Sequence, residues 1–112
     1  MVEYTYSLDS VFGALADPTR RDILSRVSSR QLTISQIAGR YNLGFAAISK
    51  HLMVLEKAGL IIKHRVGRRQ FVRARADTLQ EASDYLDQYK EAWEARLDSL
   101  EQYLNESDNN DR

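Results

Sequence analysis

The chain contains no cysteine, which excludes disulfides, thiol redox sensing and thiolate metal sites within it. Its longest apolar stretches, such as Val11–Ala16, fall far short of the ~20 residues that a membrane-spanning helix requires. No cationic segment precedes an apolar run in the way of a secretory leader, so the expected compartment is the cytoplasm and no membrane partner is expected. Catalytic signatures are missing as well. There is no nucleophile elbow, P-loop or paired-carboxylate site, and the chain is not expected to be an enzyme. No internal repeat and no interdomain linker is visible. A length of 112 residues fits one domain with a single modest core.

What is present is charge, unevenly placed. The formal net charge is zero, yet residues 40–76 carry Arg40, Lys50, Lys57, Lys63, Arg65, Arg68, Arg69, Arg73 and Arg75 against Glu56 alone. Residues 77–112 hold eleven acids against Lys90, Arg96 and Arg112. The middle third is therefore at +8 and the last third at −8. A concentrated basic block is the electrostatic footprint of a phosphate-contacting surface. Its bland alternative is a solvated surface neutralised by the acidic end.

The basic block coincides with a local pattern. Thr33-Ile34-Ser35-Gln36 is a capping box that opens a short helix to about Arg40. Tyr41-Asn42-Leu43-Gly44 breaks it, with Asn and Gly suited to left-handed turn residues. A second helix runs from about Phe45 to Lys57, with Ile48, Leu52 and Leu55 on one face and Ser49, Lys50 and His51 off it. Ala58-Gly59 stops it. Two extended runs follow, Leu60–Arg65 and Gln70–Arg75, around a hairpin loop Val66-Gly67-Arg68-Arg69. Two helices with a tight corner supply a rod for the major groove, and the hairpin a cationic arm beside it.

On either side lie longer helical patterns. Leu8, Val11, Phe12 and Leu15 recur at helical spacing over Ser7–Leu15. Asp17-Pro18, the chain's single proline, sets an N-cap before the first helical position of a helix that runs to about Val27, with Ser28–Leu32 as a connector. After the hairpin, Asp77 or Thr78 caps a helix reaching Leu104. Leu86, Trp93 and Leu100 repeat every seven residues, and Leu97 and Leu104 form a second series, a coiled-coil-like seam. Asn105–Arg112 reads as a disordered polar tail.

Three ordered motifs resemble one family. Leu15-Ala16-Asp17-Pro18-Thr19-Arg20-Arg21-Asp22-Ile23-Leu24 is similar to the opening of ArsR/SmtB-type winged-helix repressors. Ala47-Ile48-Ser49-Lys50-His51-Leu52 with Leu55-Glu56-Lys57-Ala58-Gly59-Leu60 resembles their recognition helix and its exit, and Val66-Gly67-Arg68-Arg69 their wing. Tyr89 and Trp93 on the last helix are similar to the metal-independent, SdpR-like branch. One departure stands out. Where the family often has Ser-Gln-Pro or Ser-Gln-Ser at the start of the recognition helix, this chain has Gly44-Phe45-Ala46.

The resemblance implies a mainly α protein with a small β-hairpin: a winged helix-turn-helix of about five helices plus a two-stranded wing over residues 5–104, followed by the tail 105–112. It implies a homodimer joined through its first and last helices. The expected DNA-contacting residues are Thr19, Arg20, Phe45, Ala46, Ala47, Ser49, Lys50, His51, Arg65, Arg68 and Arg69. The expected dimer face is Leu8, Val11, Phe12, Leu86, Tyr89, Trp93, Leu97, Leu100 and Leu104. For Thr19 and Arg20 at the helix start, simple solvation competes evenly with phosphate contact. Arg68 and Arg69 have an alternative use as charges that keep a strand edge from aggregating. No metal or cofactor is expected, because the last helix offers Asp84, Asp87 and Glu91 without a histidine. The expected function is a sequence-specific regulator that represses transcription from a pseudo-palindromic double-stranded operator, its effector unknown. A winged-helix module that docks on another protein is the alternative.

Overall fold

A computed structural model describes residues 6–110 of the chain. The first unit, reaching Glu81, opens with α1 (Leu8–Leu15) and α2 (Pro18–Ser29). Each is capped as its sequence dictates. Ser7 accepts from the Ser10 N–H at 3.4 Å and Asp17 from the Arg20 N–H at 3.0 Å, which satisfies helix-start donors that have no intrahelical partner. Then come β1 (Leu32–Thr33), α3 (Ile34–Ala38), α4 (Phe45–Lys57), β2 (Ile61–Val66) and β3 (Arg69–Ala74). The first turns of α5 (Ala76–Asn110) close this unit.

The core gathers the apolar stripes of α1 to α4. Val11 and Ala14 of α1, Ile23, Leu24 and Val27 of α2, Ile37 of α3, and Ile48, Leu52 and Leu55 of α4 are all buried, together with Leu60, Ile61 and Val72. Transfer of these side chains from water is the main stabilising term. Val11, expected at a dimer face, is only 2 % exposed within the single chain and belongs to this core. Leu8 and Phe12 flank it on α1 and stay half-buried.

Three features differ from the expected local structure. The expected two-stranded wing forms as β2 and β3, and β1 adds a third strand to give the antiparallel order β1-β3-β2. β1 pairs Leu32 with Val72 and Thr33 with Phe71. Two residues are too few to show a period-two alternation, so the strand exists only because the edge of β3 is there to receive it. Second, the hairpin loop shrinks to Gly67-Arg68, since Val66 still pairs with Arg69. Gly67 has φ +63°, which suits the first central position of a two-residue hairpin turn. Third, the corner before α4 uses no left-handed residue, and Gly44 is extended at φ −65° and ψ 158°.

The exit of α4 is built more tightly than its two small residues suggest. The Gly59 N–H donates to the Glu56 carbonyl at 3.0 Å and the Leu60 N–H to that of Leu55 at 3.0 Å. With Gly59 at φ +78° this is a Schellman cap. The Tyr6 ring lies where a Cβ on Gly59 would go. The Tyr6 hydroxyl accepts from Arg75 Nη1 at 2.6 Å, and Arg75 pairs with Asp77 at 2.7 and 3.1 Å.

The second unit begins at Ala82 and is the remainder of α5. The helix continues to Asn110, past its expected end at Leu104, because no glycine or proline stands in the segment to stop it. The tail expected to be disordered from Asn105 is thus helical through Asn110. The expected domain start at residue 5 and the last tail residues, 111 and 112, lie outside the described residues.

Candidate nucleic-acid interface

Helix α4 has two faces. Ile48, Leu52 and Leu55 are fully buried, which leaves Phe45, Ala46, Lys50 and Met53 exposed, with Ala47 and Ser49 half-buried between them. Ala46, Ser49, Lys50 and Met53 follow the i, i+3, i+4, i+7 spacing of one helix face. Phe45 is 63 % exposed and Met53 46 %, unusual for side chains of their size unless a partner covers them. Sequence reasoning missed Met53. Its spacing from Ala46 and Lys50 was the available signal.

Beside this face the strand register gathers the cations. Arg65 pairs with Gln70 and Val66 with Arg69 across the hairpin, and Arg68 stands in its loop. A cleft of about 510 Å³ lies between the wing and the helices, lined by Arg65, Arg68, Arg69 and Gln70, by Ser35 and Gln36 at the start of α3, and by Phe45. Sequence positions 20 to 35 residues apart are thereby brought to one groove with three guanidinium groups. Its floor is firmly held. Thr33 accepts from the Gln36 N–H at 3.1 Å, and Gln36 Oε1 accepts from the Thr33 N–H at 2.9 Å, the two halves of a capping box. At the start of α4 no side chain caps the first turn, so its backbone N–H groups remain available to an anion.

The cations at the start of α2 face elsewhere. Arg20 donates from Nε to the Ala14 carbonyl at 2.7 Å and from Nη2 to that of Gly13 at 3.3 Å. Arg21 donates to the Leu15 carbonyl at 2.9 Å. These are carbonyls of the last turn of α1, where intrahelical donors run out. His51 Nδ1 lies 3.3 Å from Arg20 Nη1 and 3.9 Å from Asp17 Oδ2. Arginine can only donate, so the ring accepts through Nδ1. The Arg20 backbone N–H, and after it the Arg20 guanidinium charge, hold the Asp17 carboxyl below the usual range. Arg20 and His51, placed toward phosphate by sequence, thus join α1, α2 and α4 to each other. Thr19 is half-buried beside them.

His64 stacks on Phe71 with ring centroids 5.6 Å apart, and its buried Nδ1 has no hydrogen-bond partner among the described residues. Among the described residues, no three His, Asp or Glu side chains gather closely enough to hold a metal ion.

This arrangement, two helices at a corner with a cationic hairpin alongside, is a winged helix-turn-helix, and known proteins share it. The sequence profile of the bacterial regulatory protein arsR family matches residues 17–63. Over 79 residues the chain is 33 % identical to the transcriptional repressor SdpR of Bacillus subtilis, covering 70 % of this chain and 88 % of the relative. The chain belongs to the ArsR family. An uncharacterised HTH-type regulator of Bacillus subtilis, YuzN, is 45 % identical over 67 residues, which cover 54 % of this chain and 73 % of that protein. The structure of an ArsR-like transcriptional regulator from Rhodococcus sp. RHA1 superposes with a TM-score of 0.70 at 35 % identity, over 85 % of this chain and 90 % of that one. As an ArsR-family chain it carries the helix start at Asp17-Pro18 and the whole of α4 within the matched segment.

Proposed function

We propose that the chain binds double-stranded DNA as a homodimer and represses transcription by occupying a pseudo-palindromic operator. The observation that carries this reading is the arginine-lined cleft beside the exposed face of α4. The α4 rod has the dimensions to enter a major groove about 12 Å wide, with Ala46, Ser49, Lys50 and Met53 toward the bases. Arg65, Arg68 and Arg69 then meet flanking phosphates or the minor groove. Phosphate contacts set register and most of the affinity, whereas base edges set sequence preference.

Phe45 and Met53 change the character of that preference. Neither can hydrogen-bond a base edge, but each can pack on a thymine methyl. The site therefore favours A·T-containing operators read through methyl contacts and DNA shape rather than through bidentate hydrogen bonds.

The dimer rests on the seam of α5. Leu86, Trp93, Leu97, Leu100 and Leu104 are each 45–58 % exposed in the single chain. A stripe of large apolar side chains at heptad spacing is stable when a second helix covers it. Among the described residues no helix is long and apolar enough to cross a membrane, which leaves a second copy as the simplest cover. A two-fold dimer presents two α4 helices about 34 Å apart, one turn of DNA. Steric occupancy suffices for repression, so the reading requires no catalytic group or cofactor.

Selection of bound fragments from a random duplex pool by the purified protein tests this. The expected product is an inverted repeat with half-site centres about 10–10.5 base pairs apart. A pool that stays random after several rounds, or enrichment of unpaired half-sites, overturns the dimeric operator reading.

A further inference from the structure

A second open cavity, of about 560 Å³, also borders α3. It is framed by Arg26 and Arg30 of the α2 end, Leu32 of β1, Ser35 of α3, and Gly39 and Arg40 just beyond α3. Three arginines reach it, and among the described residues no carboxylate lines it. The nearest acid is Asp22, which sits behind Arg26. Arg26 Nε donates to Asp22 Oδ2 at 3.0 Å, and the Tyr41 hydroxyl donates to the same oxygen. The Tyr41 and Arg26 hydrogen bonds hold the Asp22 carboxyl below the usual range, so it stays ionised at neutral pH. It neutralises and orients one guanidinium. Arg30 and Arg40 are exposed; Arg40 also acts on Asp22, and three arginines less one carboxylate leave an excess of about +2 around an opening floored by Leu32.

We infer that this cavity binds a small dianion with an apolar body, such as a phosphate monoester, and that the bound anion weakens DNA binding. The volume falls within the ~300–1,000 Å³ range of small-molecule sites. Paired guanidinium groups match the geometry of a phosphoryl group, which they hold through charge-assisted hydrogen bonds. Leu32 and the arginine stems offer the apolar wall against which an organic body packs. The effect on DNA follows from position. Ser35 and Gln36 line both this cavity and the arginine cleft under the wing, so α3 is the shared wall. A dianion in this cavity lowers the positive potential that phosphates meet in the cleft, within a Debye length of ~8 Å at physiological salt. The regulatory half of this inference rests on the DNA-binding reading above, while the site itself does not.

Phenyl phosphate titrated into the DNA-free protein by calorimetry, with inorganic phosphate and benzyl alcohol as comparisons, tests the site. Saturable binding of one phenyl phosphate per chain is expected, with inorganic phosphate weaker and benzyl alcohol undetected. Arg30→Gln with Arg40→Gln should weaken it by about tenfold or more, with helical content and thermal midpoint unchanged. Arg26 is left intact because it supports Asp22 and Tyr41. In a second arm, phenyl phosphate should lower wild-type affinity for a duplex more than it lowers that of the double variant. Absence of saturable binding at millimolar phenyl phosphate, or equal binding by the double variant, overturns the site. If the double variant instead loses affinity for every duplex and phenyl phosphate never binds, the cavity is a DNA-backbone contact and the inference fails. If phenyl phosphate binds but no duplex does, the site stands and the DNA-binding reading falls.

Discussion

Gly59 carries two constraints at once. Its φ of +78° is a left-handed conformation, which costs an L-residue roughly 1–2 kcal/mol. A Cβ there also runs into the Tyr6 ring. Gly59→Ala should lower the thermal midpoint through both effects, and Tyr6→Ala in that background should recover only the steric part. Full recovery on removing Tyr6 would show that backbone conformation contributes nothing at this cap. Phe45 makes a functional prediction at the same scale. Phe45→Gln should shift which duplexes are preferred in a selection while changing non-specific affinity little. An unaltered preference profile would place Phe45 outside the readout. The stop at Ala58-Gly59 was legible from residue types. The Tyr6 clamp was not, because nothing in the spacing of Tyr6, Gly59 and Arg75 links residues so far apart. Arg20 shows the same limit from the other side. An arginine in a first turn reads as a phosphate ligand or as solvated, and only the approach of the end of α1 reveals its carbonyl partners.

At the scale of elements, the helices were legible because each has an apolar stripe, and α1, α2 and α3 a capping side chain as well. The capping box at Thr33 and Gln36 formed as its motif implied, and α4 runs over the expected Phe45–Lys57. β1 was not legible, since Leu32-Thr33 is a strand only in the presence of β3. The end of α5 was misread for a related reason. Polar composition reads as disorder, yet a helix already under way continues until something stops it. The acid limb of stability belongs to this scale, because Asp17 and Asp22 tie elements together. Their carboxyls are held below the usual carboxylate range, Asp17 by the Arg20 backbone N–H and Asp22 by the Tyr41 hydroxyl and Arg26. A group with a depressed folded pKa adds stability above its unfolded value, lost as pH falls through the folded one. The thermal midpoint should therefore stay level down to about pH 4 and drop below it, and Asp22→Asn should flatten the drop. An Asp22→Asn protein with the wild-type acid limb would mean that its contacts with Tyr41 and Arg26 contribute nothing. For α5, Leu97→Glu should dissociate the dimer at micromolar concentration in sedimentation, with operator affinity falling alongside. A wild type that sediments as a monomer at that concentration would remove the seam from the account.

Across the whole molecule, zero net charge conceals a basic middle third and an acidic last third. The sequence shows this asymmetry directly, and the fold gives it direction by lining one cleft with Arg65, Arg68 and Arg69. What linear order could not show is that the cleft shares α3 with a second arginine-lined cavity. Regulation by a metal has little chemistry to work with in a chain that has no cysteine. Zn²⁺, Ni²⁺ or Cu²⁺ added below precipitating concentrations should leave DNA affinity unchanged. Stoichiometric metal binding that releases the DNA would contradict this.

The central claim is that the arginine cleft and the α4 face bind duplex DNA through its phosphates. The most direct measurement is the affinity of the purified protein for a random-sequence duplex across a salt series, beside the Arg68→Glu, Arg69→Glu variant. Each phosphate neutralised contributes about −0.9 to the slope of log affinity against log salt. The wild type should show a steep negative slope worth several contacts. The variant should bind more weakly and less steeply, with fold and oligomeric state unchanged. No binding at low salt, a flat slope, or a variant indistinguishable from the wild type would contradict the account.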